Sequence, residues 1–178
     1  MVRSSLYLVF IVAIISALLL VILLAPKGGT GVDVGSVAMD ISAVDIDGNA
    51  FALSDQRGNV VLIDWMGVNC PPCRTQMPEL AELHEAYGSR GLVMISLDIS
   101  DFGGGLAARS EAQAEAFLAE FGASWPIALE RTGLATRYRV VMIPTIMIVD
   151  PAGVIAFKEA GLHTFETLQQ VIAQFLPT

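Results

Sequence analysis

"VVLIDWMGVNCPPCR", residues 60–74, places an apolar run of strand length directly ahead of a Cys-x-x-Cys pair. The run is rich in β-branched residues and reads as a buried strand that stops at Gly67. Cys70 and Cys73 are the chain's two cysteines. Beyond them Met77, Leu80, Leu83, His84 and Tyr87 recur at helical spacing, which predicts a helix to about Arg90, ended by Gly91. The pair therefore opens a helix that leaves a buried strand. At such a junction unpaired backbone N–H groups and the helix dipole favour an anion. The Cys70 thiol should ionise easily, and the thiolate is the nucleophile of disulfide exchange. Cys73, one turn on, is near enough to close a disulfide and should be less exposed. Pro71 suits the first helical position, where a missing N–H costs little.

Two blander uses of the pair are weaker. A purely structural bridge across two intervening residues restrains the unfolded chain little. A closed zinc site needs four ligands, and the chain adds only His84 and His163, neither at ligand spacing. Redox chemistry is the better reading, and it calls for no metal or other cofactor.

Asp64 sits in the middle of the apolar strand. It either faces solvent at the strand's end or is a buried acid with a raised pKa that exchanges protons with Cys73. Pro144, in Ile143-Pro144-Thr145, is either a plain loop residue or a cis proline. A cis bond would offer the Ile143 backbone to a substrate chain by strand addition. Met142 would line the same groove. Trp65 is either core or a shield of the site. The scattered Met66, Met77, Met94 and Met147 read as core filling, and Trp125 as packing.

Further out, residues 41–53 read as a hairpin turning at 45–49, and Leu92–Ile99 as a second buried strand. Residues 102–105 form a Gly-rich loop, and Glu111–Phe121 a helix capped by Ser110. Ile146–Val149 is a strand, residues 151–153 turn, and 154–159 return as its hairpin partner. Leu168, Val171, Ile172 and Phe175 mark a closing helix starting near Thr164 or Thr167. Strands alternating with helices make an α/β sandwich with a mainly parallel centre and an antiparallel edge.

Leu6–Ala25 is an uncharged run of 20 residues. As a helix it would be about 30 Å long, the thickness of a bilayer's hydrocarbon core. It exceeds the apolar region of a signal peptide, and Leu23 stands where cleavage wants a small residue. The expected organisation is a cytoplasmic tail (1–5), an uncleaved transmembrane anchor (6–25), a Gly-rich linker (26–36) and one domain (37–178). Arg3 and the amino terminus precede the span and Lys27 follows it, which favours a domain outside the cytoplasm. The net charge of −8 argues against nucleic acid as a partner.

The domain resembles the TlpA/ResA/DsbE-like branch of the thioredoxin superfamily over nearly all of residues 33–178. The matching pieces are VGSVAMDISAVDIDGNAFALSDQRGNVVLIDW, CPPCRTQMPEL, FLAEFGASWPIALE and YRVVMIPTIMIVDPAG. The resemblance implies a thioredoxin-like three-layer sandwich with an N-terminal hairpin and a central insertion over 100–130. It implies Cys70 as attacking thiol, Cys73 as resolving thiol, Asp64 as the buried acid, Pro144 as the cis-proline and Pro78 as a helix-kinking proline. It further implies disulfide-containing protein substrates, as in cytochrome c maturation, and a membrane electron donor of DsbD/CcdA type. Five positions depart from the pattern: Asn69 replaces an aromatic residue, Trp65-Met66 replaces Phe-Trp, Gln76 replaces a common Glu, and Met39 a proline.

Pro71 and Pro72 remove two N–H donors that could hold a thiolate, which favours a reducing couple. A thiol peroxidase is one alternative, but Gly67 stands where its Thr should be. A Sco-like copper module is another; its cysteines lie one residue further apart, although His163 is available.

Overall fold

The computed structural model describes residues 7, 11–16, 29–99 and 110–176. In chain order the elements are the short strands β1 (Thr30–Gly31) and β2 (Val37–Ala38), the hairpin strands β3 (Ser42–Val44) and β4 (Ala50–Ala52), and β5 (Val60–Met66). Helix α1 (Pro71–Tyr87), β6 (Leu92–Asp98), α2 (Glu111–Glu120), β7 (Ile127–Leu129) and α3 (Leu134–Arg137) follow. The hairpin β8 (Thr145–Val149) and β9 (Ile155–Ala160) and the helix α4 (Phe165–Ile172) complete the domain.

The main sheet has the order β7-β6-β5-β8-β9. β6 runs parallel to both β5 and β7, while β8 runs antiparallel to β5 and β9. The mainly parallel centre and antiparallel edge are thus as expected. Because side chains alternate across a strand, β5 feeds two cores. Val60, Leu62 and Met66 pack with Cys73, Met77 and Leu80 of α1 and with Phe117, Leu168 and Ile172. Val61, Ile63 and Trp65 pack on the other side with Ile41, Leu53, Leu134 and Tyr138. Asp64, an even position, therefore shares the face covered by α1.

Local chemistry explains the boundaries. Asp45 Oδ1 accepts from the backbone N–H of Asp47 and Asn49, which closes the β3–β4 turn. α1 runs out at Tyr87 into a 3-10 turn over Gly88–Arg90, and Gly91, at φ 104°, takes the left-handed conformation that ends that turn, so the helix stops three residues before the expected Arg90. Ser110 caps α2 in a reciprocal box with Gln113.

Three features lay beyond the sequence reading. β7 and α3 are too short for a periodic signal to develop. Residues 30–36, read as the end of the linker, lie against the domain: Val32 is buried, Gly35 N–H donates to Ile155 O at 2.8 Å, and Lys158 Nζ donates to Val32 O at 3.0 Å. Their polar, Gly-rich composition hid backbone pairing to a neighbouring strand. Tyr7 and residues 11–16 are helical, with Tyr7, Ile11, Val12, Ile14 and Ile15 exposed. No helix among the described residues is long and apolar enough to cross a membrane. The rest of the 6–25 span lies outside the described residues, as does the loop expected at 102–105.

Candidate active site

Cys70 is the N-cap of α1, and Pro71 and Pro72 fill the first two helical positions. The two cysteines are joined as a disulfide with Cα atoms 5.2 Å apart. Cys70 is half-buried, whereas Cys73 is 1% exposed. A partner's sulfur can therefore reach Cys70 and not Cys73. The Cys73 backbone N–H donates to Cys70 Sγ at 3.2 Å. The two prolines can supply no second donor, so one amide carries the local stabilisation of negative charge.

Ile143 brings its carbonyl oxygen to 4.0 Å from Cys70 Sγ, and the Ile143–Pro144 peptide is cis. Gly161 N–H donates to Pro144 O at 2.8 Å, so the β8–β9 hairpin backs this loop. The Thr145 hydroxyl donates to Met142 O at 2.6 Å, and the Met142 side chain is exposed beside it. Cys70, Ile143, Pro144 and Met142 thus converge at one end of the sheet. Trp65 does not join them. Of the two expectations for it, core or a shield that touches substrate, the structure shows core: it is fully buried and tilted against Tyr138, with ring centroids 5.5 Å apart. As an odd residue of β5 it points away from α1, so it has no surface to offer a substrate.

Asp64 is buried, which settles the choice between solvent and interior. Burial pushes its pKa up to about 7; a hydrogen bond from Ser96 opposes the rise, and the nearby Asp98 charge adds to it. Ser96 faces Asp64 across the β5–β6 ladder and donates its hydroxyl to Asp64 Oδ2 at 3.1 Å. Trp125 Nε1 in turn donates to Ser96 Oγ at 2.9 Å. Ser96 was missed from sequence. Its signal was the same as that of Asp64, a polar residue inside an apolar strand, but a hydroxyl there is a weaker warning than a charge. Trp125 does pack, against the His84 ring, and its indole N–H also belongs to this network.

Gln76, also buried, clamps α1 to the loop after β9. Its Nε2 donates to His163 O at 2.8 Å and its Oε1 accepts from His163 N–H at 2.7 Å. An amide serves both ends of that exchange; a carboxylate could serve only one. The His163 ring stands edge-on to Phe157, with Nε2 3.4 Å from Glu159 O.

With that geometry in hand, comparison with known proteins gives a consistent picture. Residues 34–158 match the model of the AhpC/TSA family. The thioredoxin-like protein YneN of Bacillus subtilis is 29% identical over 144 residues, 81% of each chain. The thiol-disulfide oxidoreductase ResA of Geobacillus kaustophilus is 28% identical over 149 residues, 83% of this chain and 81% of that one. The thioredoxin domain of a thiol-disulfide oxidoreductase from Bacteroides vulgatus superposes with a TM-score of 0.67 at 26% identity, over 82% of this chain and 99% of that one. A DsbE-like thiol:disulfide interchange protein from Chlorobium tepidum gives 0.67 and 26%, over 81% and 98%.

Proposed function

This chain belongs to the AhpC/TSA family and has a thioredoxin-like fold, and from that premise we propose that it is a membrane-tethered thiol-disulfide oxidoreductase that reduces protein disulfides outside the cytoplasm. The observation that carries the reading is the Cys70–Cys73 pair at the start of α1, one sulfur accessible and the other sealed.

In the reduced protein the Cys70 thiolate attacks one sulfur of a substrate disulfide. A Cys70–substrate S–S bond forms, and the substrate's second sulfur leaves as a thiolate. Asp64 takes the Cys73 proton, and the Cys73 thiolate attacks Cys70 Sγ. The mixed disulfide breaks, the substrate's first sulfur leaves, and two electrons have passed to the substrate. Ile143 offers its backbone to the substrate chain, with Met142 alongside. Pro71 and Pro72 favour the reducing direction by withholding amide donors from the thiolate. A membrane donor of DsbD/CcdA type returns the protein to its dithiol form. The apolar run at 6–25 holds the domain near such a donor and raises its effective concentration. Cysteine pairs of apocytochromes c are one substrate class this arrangement suits.

Cys73→Ser tests the scheme: it should accumulate a mixed disulfide through Cys70, visible on a non-reducing gel, while Cys70→Ala should capture nothing and reduce nothing. Full reducing activity in Cys70→Ala would overturn the mechanism. A measured potential near the DsbA value of about −120 mV would reverse the direction. Peroxide consumption outpacing disulfide reduction would instead place the chain with the thiol peroxidases.

A further inference from the structure

We infer that Ser96 is a positioning residue for the buried acid: its hydroxyl, oriented by the Trp125 indole, engages Asp64 Oδ2 and leaves Oδ1 as the oxygen that exchanges a proton with Cys73. This rests on the oxidoreductase reading above and deepens it by assigning roles to two residues outside the Cys-x-x-Cys segment.

Hydrogen-bond capacity fixes the direction of both bonds. A serine hydroxyl has one proton and two lone pairs, while an indole N–H can only donate. Trp125 Nε1 lies 2.9 Å from Ser96 Oγ, so Ser96 accepts there. Its single proton is then committed to Asp64 Oδ2, 3.1 Å away. Ser96, Asp64 and Trp125 are 0%, 2% and 3% exposed, so bulk water does not compete for these groups. Rotating the hydroxyl elsewhere would leave a buried carboxylate oxygen unsatisfied, which costs more than an average hydrogen bond contributes. With Oδ2 accepting from Ser96, the carboxyl's own proton binds at Oδ1. That oxygen is buried and has no hydrogen-bond partner among the described residues. Asp64 lies on the sheet face that α1 covers, the face into which Cys73 is packed.

The groups around Asp64 are few. From β6 it faces Ser96 and the Asp98 carboxyl, and from β8 it faces Ile146. α1 buries two titratable groups, Cys73 at its start and Tyr87 at its far end, where the Tyr87 hydroxyl accepts from Gln169 Nε2. The buried residues of α2 are Ala114 and Phe117, and those of α4 are Leu168 and Ile172, none of them titratable. Burial and Asp98 both favour the protonated acid, and the Ser96 hydroxyl favours the carboxylate. Ser96 thus keeps Asp64 able to lose its proton near neutral pH, which a base for Cys73 requires.

The test uses full-length protein carrying thionitrobenzoate on Cys70. Cys73 attacks Cys70 Sγ and forms the Cys70–Cys73 bond. The aryl thiolate leaves and is read by its absorbance, and the Cys73 proton passes to Asp64. Release is followed against pH in the wild type and in Ser96→Ala, Trp125→Phe and Asp64→Asn. A carbon-detected titration of the Asp64 carboxyl in the disulfide form runs in parallel for the wild type, Ser96→Ala and Trp125→Phe, and circular dichroism reports whether each variant, Asp64→Asn included, is folded. Ser96→Ala should move both the rate limb and the carboxyl titration upward by about one pH unit, from the loss of one hydrogen bond to a charged group. Below the limb, release should slow about ten-fold. Trp125→Phe, which keeps an aromatic ring but frees the hydroxyl to turn, should move both in the same direction by less. A folded Ser96→Ala that titrates and reacts as the wild type does would overturn the assignment, and so would an unmoved Trp125→Phe. Asp64→Asn separates the two levels. If it flattens the wild-type limb while Ser96→Ala leaves that limb in place, only the role of Ser96 fails. If the limb survives in Asp64→Asn, the proton relay of the proposed mechanism fails itself.

Discussion

The two faces of the central sheet are built from the same strands and follow opposite rules. On the face away from α1, Ile63 and Trp65 of β5, Ile95 and Leu97 of β6, and Met147 and Val149 of β8 make a continuous apolar layer. Its buried hydroxyls both bond the backbone: Thr145, at the strand end, donates to Met142 O beside Pro144, and Tyr138, packed on Trp65, donates to Met39 O. On the α1 face the apolar layer is broken within the strands by Asp64 and Ser96 and at the end of β6 by Asp98, with Gln76 set into α1. Each of these costs desolvation that a Leu or Val would not. The redox pair sits on that same face, which assigns stability to one side of the sheet and chemistry to the other.

The sharpest way to break this division is to alter adjacent residues of β5 that point to opposite sides. Ile63→Ala should cost about 2–5 kcal/mol of stability, as large-to-small changes in a packed core do. Chemical denaturation should give the same loss above and below the Asp64 pKa of about 7. Disulfide reduction per folded molecule should be unchanged. An Ile63→Ala protein with a shifted pH profile would mean that the faces are not independent.

Asp64→Asn should do the reverse. The Asp64 carboxyl has its pKa raised from 3.8 to about 7 on folding. The folded state therefore binds this proton more tightly than the unfolded state does. The penalty for ionising the buried carboxyl is absent well below pH 3.8, grows as pH rises, and is complete above about 7. Asp64→Asn removes that titration. Relative to the wild type it should gain stability with rising pH, by on the order of 4 kcal/mol across the window. Turnover should fall over the same range. A stability difference flat in pH would show that Asp64 does not titrate between those limits.

These contrasts also mark what could be read from the chain. β5 and β6 were legible to within a residue because their apolar patterns are long, and α1 was legible but ends at Tyr87, three residues short of the expected Arg90, because a tighter 3-10 turn over Gly88–Arg90 carries the chain on to Gly91. Cys70, Cys73 and Pro144 were legible because each is a residue type with few uses in its setting. The polar network was half legible. A charge in VLIDW stands out, but the Ser96 hydroxyl and the Trp125 N–H matter only once the ladder aligns residue 64 with residue 96. Trp65 misled for a related reason: lying between the acid and the cysteines in sequence says nothing about which side of the sheet it faces. Gln76 was noticed only as a departure from a pattern, since its clamp on His163 joins residues 87 apart.

That clamp gives the next smaller effect. Gln76→Ala leaves the His163 carbonyl and N–H without their side-chain partner and should cost about 1–3 kcal/mol. Gln76→Glu keeps the acceptor but loses the donor. It adds a second titratable group beside the pair, so its cost should grow as pH rises. Thermal melts across pH distinguish the two: a flat offset for Ala, a rising one for Glu.

The smallest expected effect asks whether the α1 face shifts its chemistry when its packing is loosened without touching a polar group in it. Thr164 caps α4, its hydroxyl oxygen accepting from the Thr167 N–H at 3.3 Å. α4 in turn buries Leu168 and Ile172 against the α1 side of the sheet. Removing a cap of this kind costs about 1 kcal/mol. Thr164→Ala should therefore lower the unfolding midpoint slightly and leave the pH limb of thiol release where it was. If the limb moved as well, the acidity of Asp64 would be set by how tightly this face is packed, and the hydrogen bond from Ser96 would lose its standing as the lever. An unmoved limb in a measurably weakened protein assigns the control of protonation to the two side-chain bonds that join Trp125, Ser96 and Asp64 and not to the compactness of the core around them.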